Sequence, residues 1–234
     1  MLQMIDFPSV MWTSERTLRF AFHQEISQQN FLAVNQFNQF IHKIFRNNMI
    51  ETVPGYFTVT AFLKKRLPID IAQLESEWRE FQLAFNDDIS LISRVVRIPV
   101  CYDEEFALDM ERVMEFTKLS YEEIVSIHTS TPYAVHLIGF LPGFPYLGGL
   151  DPRLHVPRLQ TPRKQIEASS VGIGGYQTGI YPIESPGGWN IIGRTPYKLF
   201  DVTRENPTLL QTGNRVAFYS ITKQEFNKIN QESV

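Results

Sequence analysis

Eleven of the 13 glycines in this chain of 234 residues fall between Gly139 and Gly193. The stretch reads G-F-L-P-G-F-P-Y-L-G-G-L from Gly139 and P-R-L-Q-T-P-R from Pro157. It continues as G-I-G-G-Y-Q-T-G-I-Y-P from Gly172 and S-P-G-G-W from Ser185. Glycine gives up more backbone entropy on folding than any other residue, so a cluster this dense needs a structural reason. Two reasons are available. Either tight turns join many short strands, or the backbone must come close to a ligand. The aromatics and arginines set among the glycines favour a bound partner.

The two halves of the chain follow different patterns. Before about residue 100, strand and helix signals alternate. Thr17–Phe22 places Leu18, Phe20 and Phe22 on one face, as in a half-buried strand. Ser27 offers a helix N-cap, and behind it Phe31, Val34, Phe37, Ile41, Ile44 and Phe45 recur at helical spacing. Val53–Leu63, broken at Pro54-Gly55, reads as one or two strands. Asp70 can cap a second helix with Ile71, Leu74, Trp78, Phe81 and Phe85 on one stripe. Asn86-Asp87-Asp88 signals a turn, and Val95–Val100 reads as a further strand. This β-α-β-α-β order predicts a small ferredoxin-like α/β domain over residues 1–93.

From residue 94 the pattern is that of a β-barrel domain running to residue 234. Residues 104–118 look helical, and Ser120 with Glu123 forms a capping box for a short helix ending near His128. The apolar runs Tyr133–Phe140, Gly172–Tyr176, Asn190–Ile192, Lys198–Val202 and Arg215–Ile221 are short and bounded by turn signals. Many short strands of this kind specify a barrel or sandwich. The polar tail after Lys223 is expected to fray. The fold class is therefore α+β.

Composition narrows the function classes. A net charge of −3 gives no general attraction to nucleic acid. The single cysteine, Cys101, rules out an internal disulfide framework and suits a reducing compartment. It reads as a small core residue at a strand end. The opening M-L-Q-M-I-D-F-P carries neither a basic region nor a long apolar run, so neither a signal peptide nor a membrane span is expected and the cytoplasm is the expected location.

Catalytic motifs are sparse. The chain has no P-loop and no paired-cysteine or H-E-x-x-H metal spacing, so no metal is expected. Gly172-Ile-Gly174-Gly175 is followed by no helical pattern, against a dinucleotide site. Ala168-Ser169-Ser170-Val171-Gly172 loosely resembles a nucleophile elbow. A polar turn before a barrel strand accounts for it better, with Ser170 as a ligand-bonding hydroxyl. Arg158, Arg163 and Arg194 supply guanidinium forks suited to carboxylate or phosphate. The alternative is that they hold loops together. Phe140, Phe144, Tyr146, Tyr176, Tyr181 and Trp189 lie in the same Gly/Pro frame, where rings commonly wall a small-molecule or peptide groove.

Together, Leu137–Asp151, the paired P-R dipeptides, Q-T-G-I-Y-P from Gln177 and S-P-G-G-W-N-I-I-G-R-T from Ser185 resemble the allophanate hydrolase subunit 1 family. That family includes the B-type subunit of the prokaryotic 5-oxoprolinase and the Kip-type sporulation kinase inhibitor. The resemblance implies a cyclophilin-like barrel behind a small α/β domain. It implies a related second subunit (C-type, or allophanate hydrolase subunit 2 type) and a third lactam-utilisation subunit. The implied activity is ATP-dependent opening of 5-oxo-L-proline to L-glutamate, with ATP as co-substrate. In the Kip branch the implied partner is instead a sensor histidine kinase whose autophosphorylation is blocked.

Matched motif positions assign substrate contacts to Phe140, Pro142, Phe144, Tyr146, Arg158, Arg163, Gln177, Tyr181, Trp189 and Arg194. Ser170 and His128 stand at matched positions as catalytic candidates. The family's Y-G-G-x-x-G-P-D-L segment is altered here to Tyr102-Asp-Glu-Glu-Phe-Ala-Leu-Asp-Met110, with its glycines lost.

Overall fold

The computed structural model describes residues 4–25, 27–84 and 94–232. The chain divides into two compact units, Met1–Ser90 and Leu91–Val234.

The first unit contains β1 (Ser9–Trp12), β2 (Thr17–Ala21), α1 (Gln28–Ile44), β3 (Met49–Pro54), β4 (Thr58–Leu63) and α2 (Ile71–Ala84). The strands form one antiparallel sheet in the order β1-β2-β4-β3. This is a ferredoxin-like sheet whose last strand is supplied from the N-terminal end of the chain. The expected last strand, Val95–Val100, leaves for the second unit instead. β1 carries little sequence signal because it is a short edge strand, half exposed along its length. Both predicted caps are present. Ser27 Oγ accepts the Asn30 N–H at 3.2 Å, and Asp70 Oδ1 accepts the Gln73 N–H at 3.0 Å. The helices lay Val34, Phe37, Ile41, Leu74 and Trp78 onto Leu18, Phe20, Val59, Ala61 and Leu63. Phe37 and Trp78 meet edge to face at 5.1 Å. Burying each such ring contributes about 2–3 kcal/mol. Phe85 and the turn at Asn86-Asp87-Asp88 lie outside the described residues.

The second unit begins with β5 (Val95–Cys101), α3 (Met110–Thr117), α4 (Tyr121–Ser130), β6 (Tyr133–Ile138) and β7 (Pro145–Gly148). It continues through β8 (Arg163–Ile166), β9 (Ser170–Gly174), β10 (Gln177–Ile180), β11 (Ser185–Gly187), β12 (Asn190–Arg194), β13 (Arg215–Ile221) and α5 (Lys223–Glu232). Seven strands close into a barrel, in the order β10-β7-β6-β13-β5-β12-β9. β5 joins it through seven parallel pairs with β13, which explains why Val95–Val100 is not in the first sheet. Its residues from Ile98 to Cys101 are all buried, as suits a strand covered on both faces. β8 and β11 pair with each other as a separate ribbon.

Local chemistry explains the remaining boundaries. The Ser120–Glu123 capping box forms in both directions, at 2.8 and 3.2 Å. The helix expected over 104–118 starts only at Met110, because Asp103 first closes a turn through Phe106 and Ala107. Lys198–Val202 is not a strand; its one ladder contact is the bridge from Phe200 to Thr208. The tail after Lys223 folds as α5. Thr222 and Glu225 make a second reciprocal cap at 2.8 and 3.3 Å, and Phe226 packs on Phe106 at 4.6 Å. Among the described residues, no helix is long and apolar enough to cross a membrane.

Candidate functional site

The turn after β6 creates the main feature of the second unit. Phe140 adopts a φ of +67°, a left-handed conformation that costs a non-glycine residue about 1 kcal/mol or more. The turn closes through Phe144 N–H to Leu141 O at 3.0 Å and Gly139 N–H to Phe144 O at 3.1 Å. It leaves Phe140 62% exposed and Phe144 buried. Phe144 is the hub of a ring cluster. Phe140, Tyr181 and Trp189 meet it edge to face at 5.6, 5.2 and 5.4 Å, and Tyr146 packs on it at 4.9 Å.

This cluster walls a cavity of about 420 Å³. Its lining is Phe140, Leu141, Phe144, Tyr146, Arg158, Pro162, Tyr181, Ser185, Pro186, Gly187, Gly188 and Trp189. The glycine cluster now has a physical reason. A Cβ on Gly174 would stand 2.6 Å from the Trp189 indole, and one on Gly179 would stand 2.9 Å from the same ring. β9 and β10 carry glycine there so that Trp189 can lie against their backbone. The close approach is to a wall ring of the cavity.

The polar groups of the cavity are few. Arg158 holds its Cζ 5.6 Å from the Trp189 ring centroid, a cation–π distance. Its guanidinium has no ion pair or hydrogen bond among the described residues. Burial pushes the Tyr146 and Tyr181 phenols up, and it is offset only in part, at Tyr146 by the Arg158 charge and at Tyr181 first by the Trp189 backbone and then by Arg158. Both therefore remain protonated donors at neutral pH. Ser185 is 7% exposed, and its Oγ has no hydrogen-bond partner among the described residues. Among the described residues the lining contains no carboxylate and no histidine.

Six of the predicted contact residues converge here: Phe140, Phe144, Tyr146, Arg158, Tyr181 and Trp189. Arg163 and Arg194, also assigned as substrate contacts, lie outside this lining. Arg163 is held by both oxygens of Asp109, at 2.8 and 2.6 Å. Arg194 donates Nε to Ala168 O at 3.0 Å, pairs with Glu167 and lies over the Phe106 ring. Both arginines hold loops, the alternative that the sequence leaves open. Pro142 sits in the turn outside the lining, and Gln177 is buried at the start of β10. Ser170 is buried at the start of β9, opposite Arg194. It follows Ser169, whose φ of +67° makes the expected turn.

His128 lies in the barrel core, fully buried, with both ring nitrogens engaged. Thr178 Oγ1 donates to Gly172 O at 3.0 Å, so it must accept from His128 Nε2, 2.9 Å away. Nδ1 then accepts from the Tyr102 hydroxyl at 2.7 Å. Burial holds the imidazole down at about 3. A neutral histidine with no free nitrogen and no place in the cavity lining is not positioned for proton transfer there. Among the described residues no cluster of His, Cys, Asp or Glu is placed to hold a metal ion.

Sequence reasoning misses Ser185 and Asp109. Ser185 opens the S-P-G-G-W motif, whose glycines and tryptophan are its conspicuous members. Asp109 stands at the aspartate of the altered Y-G-G-x-x-G-P-D-L segment, where the lost glycines are the conspicuous change.

Residues 8–210 match the family described as carboxyltransferase domain, subdomain C and D. The chain is 39% identical over 221 residues to the B-type subunit of 5-oxoprolinase from Bacillus subtilis, covering 91% of this chain and 92% of that protein. It is 41% identical over 173 residues to the B-type subunit of 5-oxoprolinase from Escherichia coli O157:H7, covering 73% and 78%. Among solved structures, TTHA0988 superposes with a TM-score of 0.71 at 30% identity, over 88% of this chain. The chain spans only 40% of that longer protein. These matches bear out the family resemblance read from the glycine-rich motifs. The chain belongs to the carboxyltransferase subdomain C and D family, together with proteins named as B-type subunits of 5-oxoprolinase.

Proposed function

We propose that this chain is the B-type subunit of an ATP-dependent 5-oxoprolinase, which opens 5-oxo-L-proline to L-glutamate. The observation that carries the reading is the similarity, near full-length in the Bacillus subtilis case, to two proteins named as that subunit. The cavity is consistent with it. A guanidinium with no ion pair among the described residues, set beside aromatic walls, suits a small ring bearing a carboxylate.

Hydrolysis of a cyclic amide needs a clamp for the substrate, a polarised carbonyl and an activated nucleophile. The cavity supplies the clamp: Arg158 faces the carboxylate, and the rings of Phe144, Tyr181 and Trp189 exclude water from the ring. Among the described residues it supplies no general base, because its lining holds neither carboxylate nor histidine. The base and the nucleotide contacts belong, on this reading, to a related C-type subunit and to a third subunit of the complex. The greater length of TTHA0988 supports a partner unit adjoining this fold. The complex works in the cytoplasm, where Cys101 stays a buried thiol.

Reconstitution tests the reading. The chain alone should release no glutamate from 5-oxo-L-proline and ATP, and the chain with subunits co-purified from its native cells should do so. Inhibition of a histidine kinase's autophosphorylation, with no turnover in any reconstituted mixture, would replace this reading with the regulator.

A further inference from the structure

Five cations crowd one end of the first unit's sheet. The turn joining β1 to β2 carries Arg16, the turn between α1 and β3 carries Arg46, and the segment leaving β4 carries Lys64, Lys65 and Arg66. Antiparallel pairing brings the three segments together, with Thr17 opposite Phe62 and Met49 opposite Leu63. Hydrogen bonds then hold them there. Leu63 N–H donates to Arg16 O at 2.8 Å, Lys64 N–H to Asn48 O at 2.8 Å, and the Asn48 side-chain amide to Lys65 O at 2.8 Å.

All five cations are exposed, and none has an ion pair among the described residues. Across residues 13–16, 45–48 and 64–66 the one acid is Glu15, although the whole chain carries a net charge of −3. Asp70, the next acid along the chain, is taken up by the α2 cap. Internal uses account for two of the five. Arg46 follows the C-terminal end of α1, which favours a cation, and Lys64 Nζ donates to Asn47 O at 3.2 Å. Arg16 and Lys65 have no such use. Arg66 holds its Cζ 4.6 Å from the Trp12 ring centroid, a cation–π contact that fixes the guanidinium. Like charges this crowded repel one another, so the cluster works against the free chain.

We propose that this basic end of the sheet docks an acidic face of the related C-type subunit. The inference deepens the 5-oxoprolinase reading and rests on it for the existence of that subunit. A small anion calls for donors that converge in a concave site. Five exposed cations spread over three connections suit an extended acidic protein surface instead. Arg66 on Trp12 is the anchor, because a pre-positioned arginine beside a tryptophan is the kind of pair that dominates such contacts. Arg16, Arg46, Lys64 and Lys65 steer the encounter and fix its orientation. A long polyanion such as duplex DNA fits less well, because the rest of the chain is net negative and repels it.

The experiment is a calorimetric titration of the full chain with the C-type subunit, separated from the complex purified from its native cells, at about 0.1 M and about 0.5 M NaCl. The wild type should lose about tenfold in affinity at the higher salt, as screening weakens the charge match. The triple variant Lys64→Glu, Lys65→Glu, Arg66→Glu should bind about a hundredfold more weakly at low salt, and the gap to the wild type should narrow at high salt. Lys65→Glu alone, whose side chain holds nothing in the free chain among the described residues, should cost about tenfold in affinity. Its Tm should stay unchanged or rise, because it relieves repulsion. A wild-type affinity indifferent to salt overturns the assignment. So do variants that bind as the wild type does, or a wild-type chain that does not associate with the C-type subunit. Salt-dependent binding of duplex DNA in place of the subunit gives the surface to nucleic acid and overturns it too. Failure here is separable from failure of the enzyme reading. A complex that assembles and turns over normally with the triple variant removes only the docking surface. Salt-dependent docking through these residues in a mixture without turnover removes only the enzyme.

Discussion

Asp109 grips Arg163 with both carboxylate oxygens, at 2.8 and 2.6 Å. The same carboxylate accepts the Ile191 backbone N–H at 2.7 Å, and the Asp109 N–H donates back to Ile191 O at 2.8 Å. One nearly buried side chain thus ties the start of α3 to β8 and β12. Pro162 and Trp189, both in the cavity lining, lie within two residues of the tied positions. Asp109→Ala would leave the partly exposed Arg163 and the buried Ile191 N–H without their acceptor, so it is expected to lower stability by about 2 kcal/mol in urea denaturation. Arg163→Lys should recover only part of the pair, since an ammonium cannot fork across both oxygens. A loss under about 0.5 kcal/mol, the scale of an ordinary surface substitution, would contradict this role.

The arginines should separate cleanly. Arg158 has no ion pair to lose among the described residues, and its contact with Trp189 is worth about 0.5–1 kcal/mol. Arg158→Ala should therefore leave the denaturation midpoint nearly unchanged while weakening binding of a carboxylate ligand about a hundredfold. Arg194 lies outside the cavity and is tied to Glu167 and Ala168. Glu167 is largely exposed, so Arg194→Ala should cost only about 1 kcal/mol of stability and leave ligand affinity unaltered. Titration of both variants against 5-oxo-L-proline checks this, and equal loss of affinity in the two would refute it.

Two buried histidines set an acid limit on the fold. Burial pushes His128 from 6.5 down to about 3, and His136 down to about 4. The folded chain keeps both neutral, whereas the unfolded chain takes up their protons below about pH 6.5. Stability is therefore full above about pH 6.5 and falls as pH drops toward about 4. The expected slope is about 1.4 kcal/mol per pH unit for each histidine. Urea midpoints measured across this window should decline steadily with acidification. The depressed carboxylate Asp151, held down at about 2 by Arg153, acts only at lower pH. A flat profile across the window would mean that His128 and His136 are not buried as described.

Gly174→Ala should disturb the cavity through Trp189. The added methyl group would stand 2.6 Å from the indole, where no real side-chain contact is tolerated. Overpacking of this kind costs about 1–3 kcal/mol. The expected signature is a shifted tryptophan emission and weaker 5-oxo-L-proline binding in a chain that still folds. Unchanged emission together with unchanged affinity would show that the glycine is there for another reason.

Much of the fold is legible in the sequence because its signals are local. Ser27, Asp70 and the Ser120–Glu123 box each start the helix that the sequence assigns to them, and alternation places Leu18 and Phe20 inward. Sequence reasoning fails where distant pairing decides. Val95–Cys101 reads as a strand anywhere, and only its seven-residue pairing with β13, more than a hundred positions away, puts it in the barrel. α5 escapes notice although Thr222 and Glu225 carry a capping signal, because its overall polarity outweighs that one pair. Within the site, the aromatic wall is readable because rings among glycines and prolines have few other uses. The arginines are not, because a guanidinium looks the same in sequence whether it faces a ligand or an acid 54 residues away.

The most direct test of the account is glutamate release from 5-oxo-L-proline and ATP by the reconstituted complex, carrying either the wild-type chain or Arg158→Ala. The account predicts turnover with the wild type, none from the chain alone, and a loss of about a hundredfold in kcat/KM with Arg158→Ala, on the scale of about 3 kcal/mol for a charge-assisted contact. Full activity of the Arg158→Ala complex, or full activity of the isolated chain, would contradict it.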